Sequence, residues 1–294
     1  MQIIKSVLLW VVLPLAALVL LVACAPMATL NAIASREGPT ATSAVSYGPL
    51  PRHKLDIYRP QAAAPPAGWP VAVFFYGGSW NRGERADYRF VGSALAARGV
   101  LTLVADYRLY PEVRYPDFLN DCALAAAHGI EHAARLGGDP KRVFVMGHSA
   151  GAYNAAMLAL DPRWLKSASR APAELAGWIG LAGPYDFLPM KNPDTRPVFF
   201  HPDYPAGSQP VDYAAKGSPR AFLGAAMTDE LIDPQRNTVG LANRLQAAGA
   251  SVQLRLYGRV NHITLAAALA WPLRWLAPVL DDVVGFIEGA PNAP

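Results

Sequence analysis

The sequence predicts an α/β domain: a mostly parallel central sheet, helices on both faces, and one short cap insertion. Three observations predict it. Six apolar runs recur along the 294 residues, separated by helical stretches, the pattern of strands buried on both faces. The length, less an N-terminal segment of different character, suits one large domain. Gly147-His148-Ser149-Ala150-Gly151 stands between the apolar run Val143 to Met146 and the small-residue stretch ending at Leu160. That context is strand, sharp turn, helix, with a serine at the apex.

Residues 1–23 come first. Lys5 precedes an apolar run from Val7 to Ala23 that only Pro14 interrupts, and no acid occurs before Glu37. This is the charged start and apolar core of an export signal. The run ends in Leu21-Val22-Ala23-Cys24, which resembles the bacterial lipobox, whose cysteine is lipidated. Three readings stay open: a lipoprotein signal acylated at Cys24, an uncleaved membrane anchor, and an ordinary cleaved signal. The first two attach the chain to a bacterial cell envelope, with the folded domain in the periplasm or outside the cell. Residues 24–42 would then be a tether.

The domain is expected over residues 43–290. Ser43 to Tyr47 and Lys54 to Tyr58 pattern as an antiparallel pair at the sheet edge, before the proline- and alanine-rich link from Pro60 to Pro70. Strands follow at Val71 to Phe75, Val100 to Ala105, Val143 to Met146, Trp178 to Ala182, Ala221 to Ala226 and Val252 to Tyr257. Helices are expected near Tyr88 to Arg98, Pro116 to Arg135, Ala150 to Leu160 and Pro234 to Ala248. The last of these opens with Asp233 as N-cap and Pro234 at the first helical position, and Gly249 stops it. Val252, Leu254 and Leu256 alternate with polar residues or Tyr257, the period of a half-buried strand. The stretch from Ile263 to Ile287 is expected to be helical. Between 183 and 219 periodicity breaks down while prolines and aromatics recur, which marks a functional excursion or a structural one. A substrate-shaping cap is one reading; a surface excursion is the other.

A serine hydroxyl is a weak nucleophile until a base takes its proton and a third group orients that base. Ser149 at the turn is the candidate nucleophile. Of six histidines, His262 alone lies downstream of the serine on a loop after a strand and a plausible acid. His128 and His132 share a helix face, His148 is part of the turn itself, and His201 falls in the insertion. Asp229 directly follows its strand and is the first candidate acid. Asp233 is better explained as a helix cap, and Glu230 is adjacent. An oxyanion needs backbone N–H donors. Ala150 and the loop Tyr76-Gly77-Gly78-Ser79-Trp80 supply them, through Gly77 and Gly78 in particular, because bare backbone can approach a carbonyl. Trp80, His148, Phe199 and Phe200 are the candidates for contact with substrate.

Taken together, Tyr76 to Trp80, Asp106-Tyr107-Arg108-Leu109, Gly147 to Gly151, Asp229 to Pro234 and Asn261-His262 give the chain its resemblance. It resembles the α/β-hydrolase superfamily, in its carboxylesterase and acetyl-esterase-like branch. The similarity extends to bifunctional feruloyl/acetyl-xylan esterase-like domains and kynurenine-formamidase-like relatives. The resemblance implies a Ser149–Asp229–His262 triad, no cofactor, and a small-molecule ester as substrate. It spans roughly Ser43 to Glu288. Two departures stand out. Tyr76 replaces the usual histidine of the oxyanion loop, and Gly224-Ala225-Ala226 stands where relatives often carry histidine-glycine before the acid. The same machinery could serve an amide or formamide. From a different class, the rival is a catalytically silent, membrane-tethered binding module.

Composition excludes other classes. The net charge of +4 is modest, and no basic run interleaved with aromatics argues for nucleic acid. No Cys/His spacing suits a metal, and no glycine loop suits a phosphate. With Cys24 acylated, Cys122 is left alone as a buried structural thiol; a Cys24–Cys122 disulfide would require that no lipid be attached.

Overall fold

A computed structural model describes residue 10 and residues 26–34, 38, 39 and 41–289. Apart from residue 10, the export segment 1–23 lies outside the described residues, as do the lipobox and Cys24. Eight strands form one sheet in the order β1-β2-β4-β3-β5-β6-β7-β8. They are β1 Thr42–Ser46, β2 Lys54–Tyr58, β3 Trp69–Phe75, β4 Leu101–Ala105, β5 Gly138–His148, β6 Gly177–Leu181, β7 Ala221–Ala226 and β8 Val252–Tyr257. β1 pairs antiparallel with β2, and β2 antiparallel with β4. Every other pairing is parallel. Strands β4, β6 and β7 are buried at every position. β8 closes the far edge half-exposed, in keeping with its alternation in sequence.

The helices are α1 Pro26–Ala34, α2 Arg89–Ala97, α3 Asp117–His132, α4 Ala150–Leu160, α5 Pro162–Ser167, α6 Gly240–Ala247, α7 His262–Ala267 and α8 Val279–Glu288. All eleven residues of α4 are buried, five of them alanine and one glycine, so the helix can lie close against β5 and β6. Residues Gln235–Val239 wind as a π-helical turn before α6, with Asp233 accepting from the Gln235 and Arg236 N–H groups.

The expected helix from Ile263 to Ile287 is corrected: it is α7, a 3-10 turn at Trp271–Leu276, and α8. Pro272 opens the turn and Pro278 precedes α8; neither can continue a preceding helix. Part of the stretch expected as a tether forms α1, which packs on α2. Asn31 fixes it there, donating to the Ala86 and Asp87 carbonyls and accepting from the Phe90 N–H.

The insertion holds no strand and no α-helix, only 3-10 turns at Arg196–Phe199 and Pro210–Tyr213. Buried amides anchor it. Asn237 Oδ1 accepts from the Tyr185 and Asp186 N–H groups at 2.7 and 2.8 Å, and Gln209 Oε1 from Phe187 N–H at 2.8 Å. Its Phe199 is fully buried against Trp80, Phe187, Tyr153 and Tyr115.

Candidate active site

Strand β5 ends at His148 and α4 begins at Ala150, so a single residue makes the turn. Ser149 takes φ 55° and ψ −121°, a region that costs a non-glycine residue on the order of 1–3 kcal/mol. Its N–H donates to the Leu181 carbonyl at 2.8 Å, pinning the turn to the neighbouring strand. The flanking glycines are steric requirements. A Cβ on Gly147 would sit 2.1 Å from the Gly151 carbonyl oxygen, and one on Gly151 would sit 2.0 Å from that of Phe75.

His262 is the first residue of α7. Asn261 caps that helix, its Oδ1 accepting from Ile263 and Thr264 N–H, while Thr264 Oγ1 accepts from the Asn261 N–H. The cap fixes the imidazole's direction. His262 Nε2 lies 2.8 Å from Ser149 Oγ, and Nδ1 lies 2.7 Å from Asp229 Oδ2. The other Asp229 oxygen accepts from the Leu231 and Ile232 N–H groups, each at 2.9 Å. Burial opposes ionisation of this carboxyl, but the His262 hydrogen bond and charge and the two N–H groups outweigh it. Asp229 is thereby held below the usual carboxylate range. Asp233 points to its own helix start and Glu230 is exposed, so of the three acids only Asp229 meets the imidazole.

The oxyanion loop lies directly beside the serine: a Cβ on Gly77 would come within 3.0 Å of Ser149 Cβ. Gly78, Ser79 and Trp80 all take positive φ, at 130°, 54° and 56°. Among these, Ser79 and Trp80 line the cleft together with Ala150, whereas Gly77 and Gly78 do not. The Gly77 main chain is bonded instead to the Tyr88 hydroxyl. Sequence reasoning weighted the glycines for their missing side chains and passed over Ser79. The strained φ of a serine leaves no mark in the sequence.

Tyr76, which stands in the place of a histidine, braces this loop by stacking and a charged donor. Its ring stacks on Tyr107 at 4.7 Å and on Tyr88 at 5.8 Å, and its hydroxyl accepts from Arg52 at 2.6 Å. The same guanidinium donates to the carbonyls of Tyr107 and Gly83. Trp80 is set by its indole N–H, which donates to buried Asn154 on α4 at 3.0 Å. Asn154 in turn touches the thiol of Cys122, which is buried and unpaired, its ionisation pushed well up by burial. Arg52, Tyr88 and Asn154 carry no motif and were legible only in three dimensions.

Three expected substrate contacts are corrected. His148 is buried beneath the site and outside the cleft; its Nε2 lies 2.9 Å from the His262 carbonyl oxygen. Burial, with His262 close by, pushes its pKa down to about 3, so the ring is neutral and donates from Nε2. Phe199 belongs to the aromatic cluster behind the wall. Phe200 faces solvent, with the Arg114 guanidinium 5.2 Å above its ring. The cleft itself, about 670 Å³, has Trp80, Phe187 and Met190 as apolar lining, and Arg236, ion-paired to Asp186 at 2.7 Å, as polar lining. Among the described residues no group of three or more His, Cys, Asp or Glu side chains could hold a metal. None of their helices is long and apolar enough to cross a membrane.

Comparison with known proteins bears on the family and the fold. Residues 55–245 match the BD-FAE family. An isoprenylcysteine α-carbonyl methylesterase of Arabidopsis thaliana is 30% identical over 270 residues, 84% of this chain and 62% of that protein. The chain thus spans less than two thirds of that relative's length. The carboxylesterase NlhH of Mycobacterium tuberculosis is 30% identical over 230 residues, 68% of this chain and 70% of its own. Among solved structures, the butyrate-bound esterase 2 of Thermogutta terrifontis superposes with a TM-score of 0.70 at 21% identity, covering 87% of this chain and 97% of that one. At that identity the likeness speaks for the fold.

Proposed function

This chain belongs to the BD-FAE family, within the α/β-hydrolase fold, and from that premise we propose that it is a serine carboxylesterase. One observation carries the reading. A continuous hydrogen-bonded line runs from Asp229 through His262 to Ser149, at 2.7 and 2.8 Å, and ends in the wall of the cleft. In the proposed reaction Ser149 Oγ attacks an ester carbonyl while His262 Nε2 takes its proton. Asp229, ionised and accepting from Nδ1–H, keeps the imidazole in the tautomer that leaves Nε2 free to do so. The developing oxyanion is met by the N–H of Ala150 and that of Ser79 on the strained loop. His262 then returns the proton to the departing alcohol and activates a water that hydrolyses the acyl-enzyme.

The substrate is proposed to be a short-acyl or aromatic ester. Trp80 and Phe187 line the cleft that Ser149 opens into, their rings 6.3 Å apart and tilted, and polar side chains of the same cleft suit the other side of the ester. One solved esterase of the same fold holds butyrate, a short acyl group, in keeping with this reading. We place the activity in the bacterial cell envelope, on the strength of the leader and lipobox at Cys24. The test is turnover of p-nitrophenyl esters from acetate to laurate, beside a fluorophosphonate probe. Rates should fall with chain length, and both turnover and labelling should vanish in Ser149→Ala, a loss of roughly 10⁴-fold or more in kcat. A folded wild type that takes no label would return the chain to the class of binding modules. Labelling without ester turnover would favour an amide.

A further inference from the structure

We propose that the ridge carrying Trp271 and Trp275 rests in the interface of the membrane that holds the N-terminal segment, as a second point of contact. This rests on the membrane-attached reading of that segment. Trp69, Trp80, Trp164 and Trp178 are buried or half-buried in the domain, whereas Trp271 and Trp275 are 48% and 71% exposed on one 3-10 turn. Two large indoles left in water on a single turn call for an apolar neighbour. An indole has an apolar body and one N–H, which is why tryptophan concentrates where hydrocarbon meets headgroups.

The chain's connectivity names that neighbour. The indole N–H of Trp271 donates to the Ile33 carbonyl of α1, and α1 packs on the 3-10 turn. Helix α1 starts at Pro26, two residues beyond Cys24, a reach of ~7 Å at most. From Pro26 to Ile33 the helix rises only about 10 Å. Whether a lipid on Cys24 or the apolar run itself enters the bilayer, the chain leaves it beside this ridge. The start of α1 and the tryptophans cannot be at opposite ends of the domain.

Charge agrees. Residues 262–278, which carry the ridge, contain no acid, and their single formal charge is Arg274. Residues 1–36 contain no acid either, and α1 has no charge at all. No carboxylate of these segments would need to be stripped of water or brought against anionic headgroups. The ridge also continues directly from α7, whose first residue is His262. Seating it would hold that end of the molecule near the bilayer, where esters with an apolar group accumulate.

The experiment uses the full chain in vesicles of phosphatidylethanolamine and phosphatidylglycerol, with phosphatidylglycerol brominated high on its acyl chains as a contact quencher. Wild type, Trp275→Phe and the double variant Trp271→Phe/Trp275→Phe are compared, since phenylalanine keeps the packing and removes the emission. Quenching by the brominated lipid should fall at least two-fold in the double variant and by a smaller step in Trp275→Phe. Trp275 is the most exposed ring on the ridge, so its replacement does not endanger the fold. Vesicle-bound protein whose quenching is the same in all three overturns the proposal and leaves the attachment standing. Protein that does not float with vesicles overturns both. Hydrolysis of soluble p-nitrophenyl acetate should be equal in all three variants, so a failure of the esterase reading shows separately.

Discussion

The three residues of the proposed triad and the wall of the cleft are held by different means. Ser149 and His262 sit at helix starts, and Asp229 lies just past β7, each fixed by main-chain geometry: a one-residue turn, an Asn261 cap, a pair of N–H groups on a carboxylate. The wall from Pro184 to Thr195 has no strand or helix of its own and hangs from two buried amides, Asn237 and Gln209. Main-chain geometry repeats whenever its local sequence does, so the chemistry is written in short motifs. A wall hung on distant side chains is written nowhere locally.

The sharpest way to break that comparison is at the acid. Asp229 and Asp233 are four residues apart and both accept a pair of main-chain N–H groups, but only Asp229 also faces an imidazole. Asp229→Asn should lower kcat about 10⁴-fold, because an amide that donates to Nδ1 traps the wrong tautomer. Asp233→Asn should leave kcat within two-fold and cost at most about 1 kcal/mol of stability, since asparagine caps nearly as well. Steady-state kinetics with urea unfolding decides it. Equal losses in the two variants would mean that the loop as a whole, rather than the hydrogen bond to His262, sets the rate.

How far the site was legible follows the same division. The strands, and the residues that meet at Ser149, Asp229 and His262, were legible because a period or a turn demanded particular residue types. Gly147 and Gly151, where any Cβ would strike a carbonyl at about 2 Å, could be nothing else. The export of His148 from the cleft to a place beneath it was not legible. Both surroundings suit a histidine at that position of the turn, and only the 2.9 Å contact with the His262 carbonyl oxygen distinguishes them. The break of the C-terminal helix was marked by Pro272 and Pro278, and the apolar content of the stretch outweighed them in the reading.

His148 carries a smaller effect, in stability. Its folded pKa of about 3 lies below the ordinary histidine value near 6.5, so between those values the unfolded chain binds the extra proton. Stability contributed at neutral pH is therefore lost as pH falls from about 6.5 towards 3, and is constant above that window. By pH 4 the loss is on the order of 2–3 kcal/mol. His148→Gln keeps a donor for the His262 carbonyl and has nothing to titrate. The difference in unfolding free energy between wild type and variant should shift by that amount between pH 7 and pH 4. A difference independent of pH would place the ring in contact with water and undo its assignment beneath the site.

A contrast between two neighbours tests the other region. Phe199 and Phe200 are adjacent and the sequence treats them alike, yet Phe199 is fully buried among five aromatic rings while Phe200 is 40% exposed under Arg114. Truncating the first should cost about 3–5 kcal/mol, the range for a phenylalanine removed from a packed core. With it the backing of Trp80 and Phe187 loosens, so KM should rise more than kcat falls. Truncating the second removes a surface cation–π contact and should change stability by no more than about 1 kcal/mol, with KM and kcat unaltered across the ester series. A change in acyl preference in Phe200→Ala would show that the cleft extends past its present wall to the solvent face of the insertion. The wall would then be a movable part, and the contrast with the rigid triad would deepen.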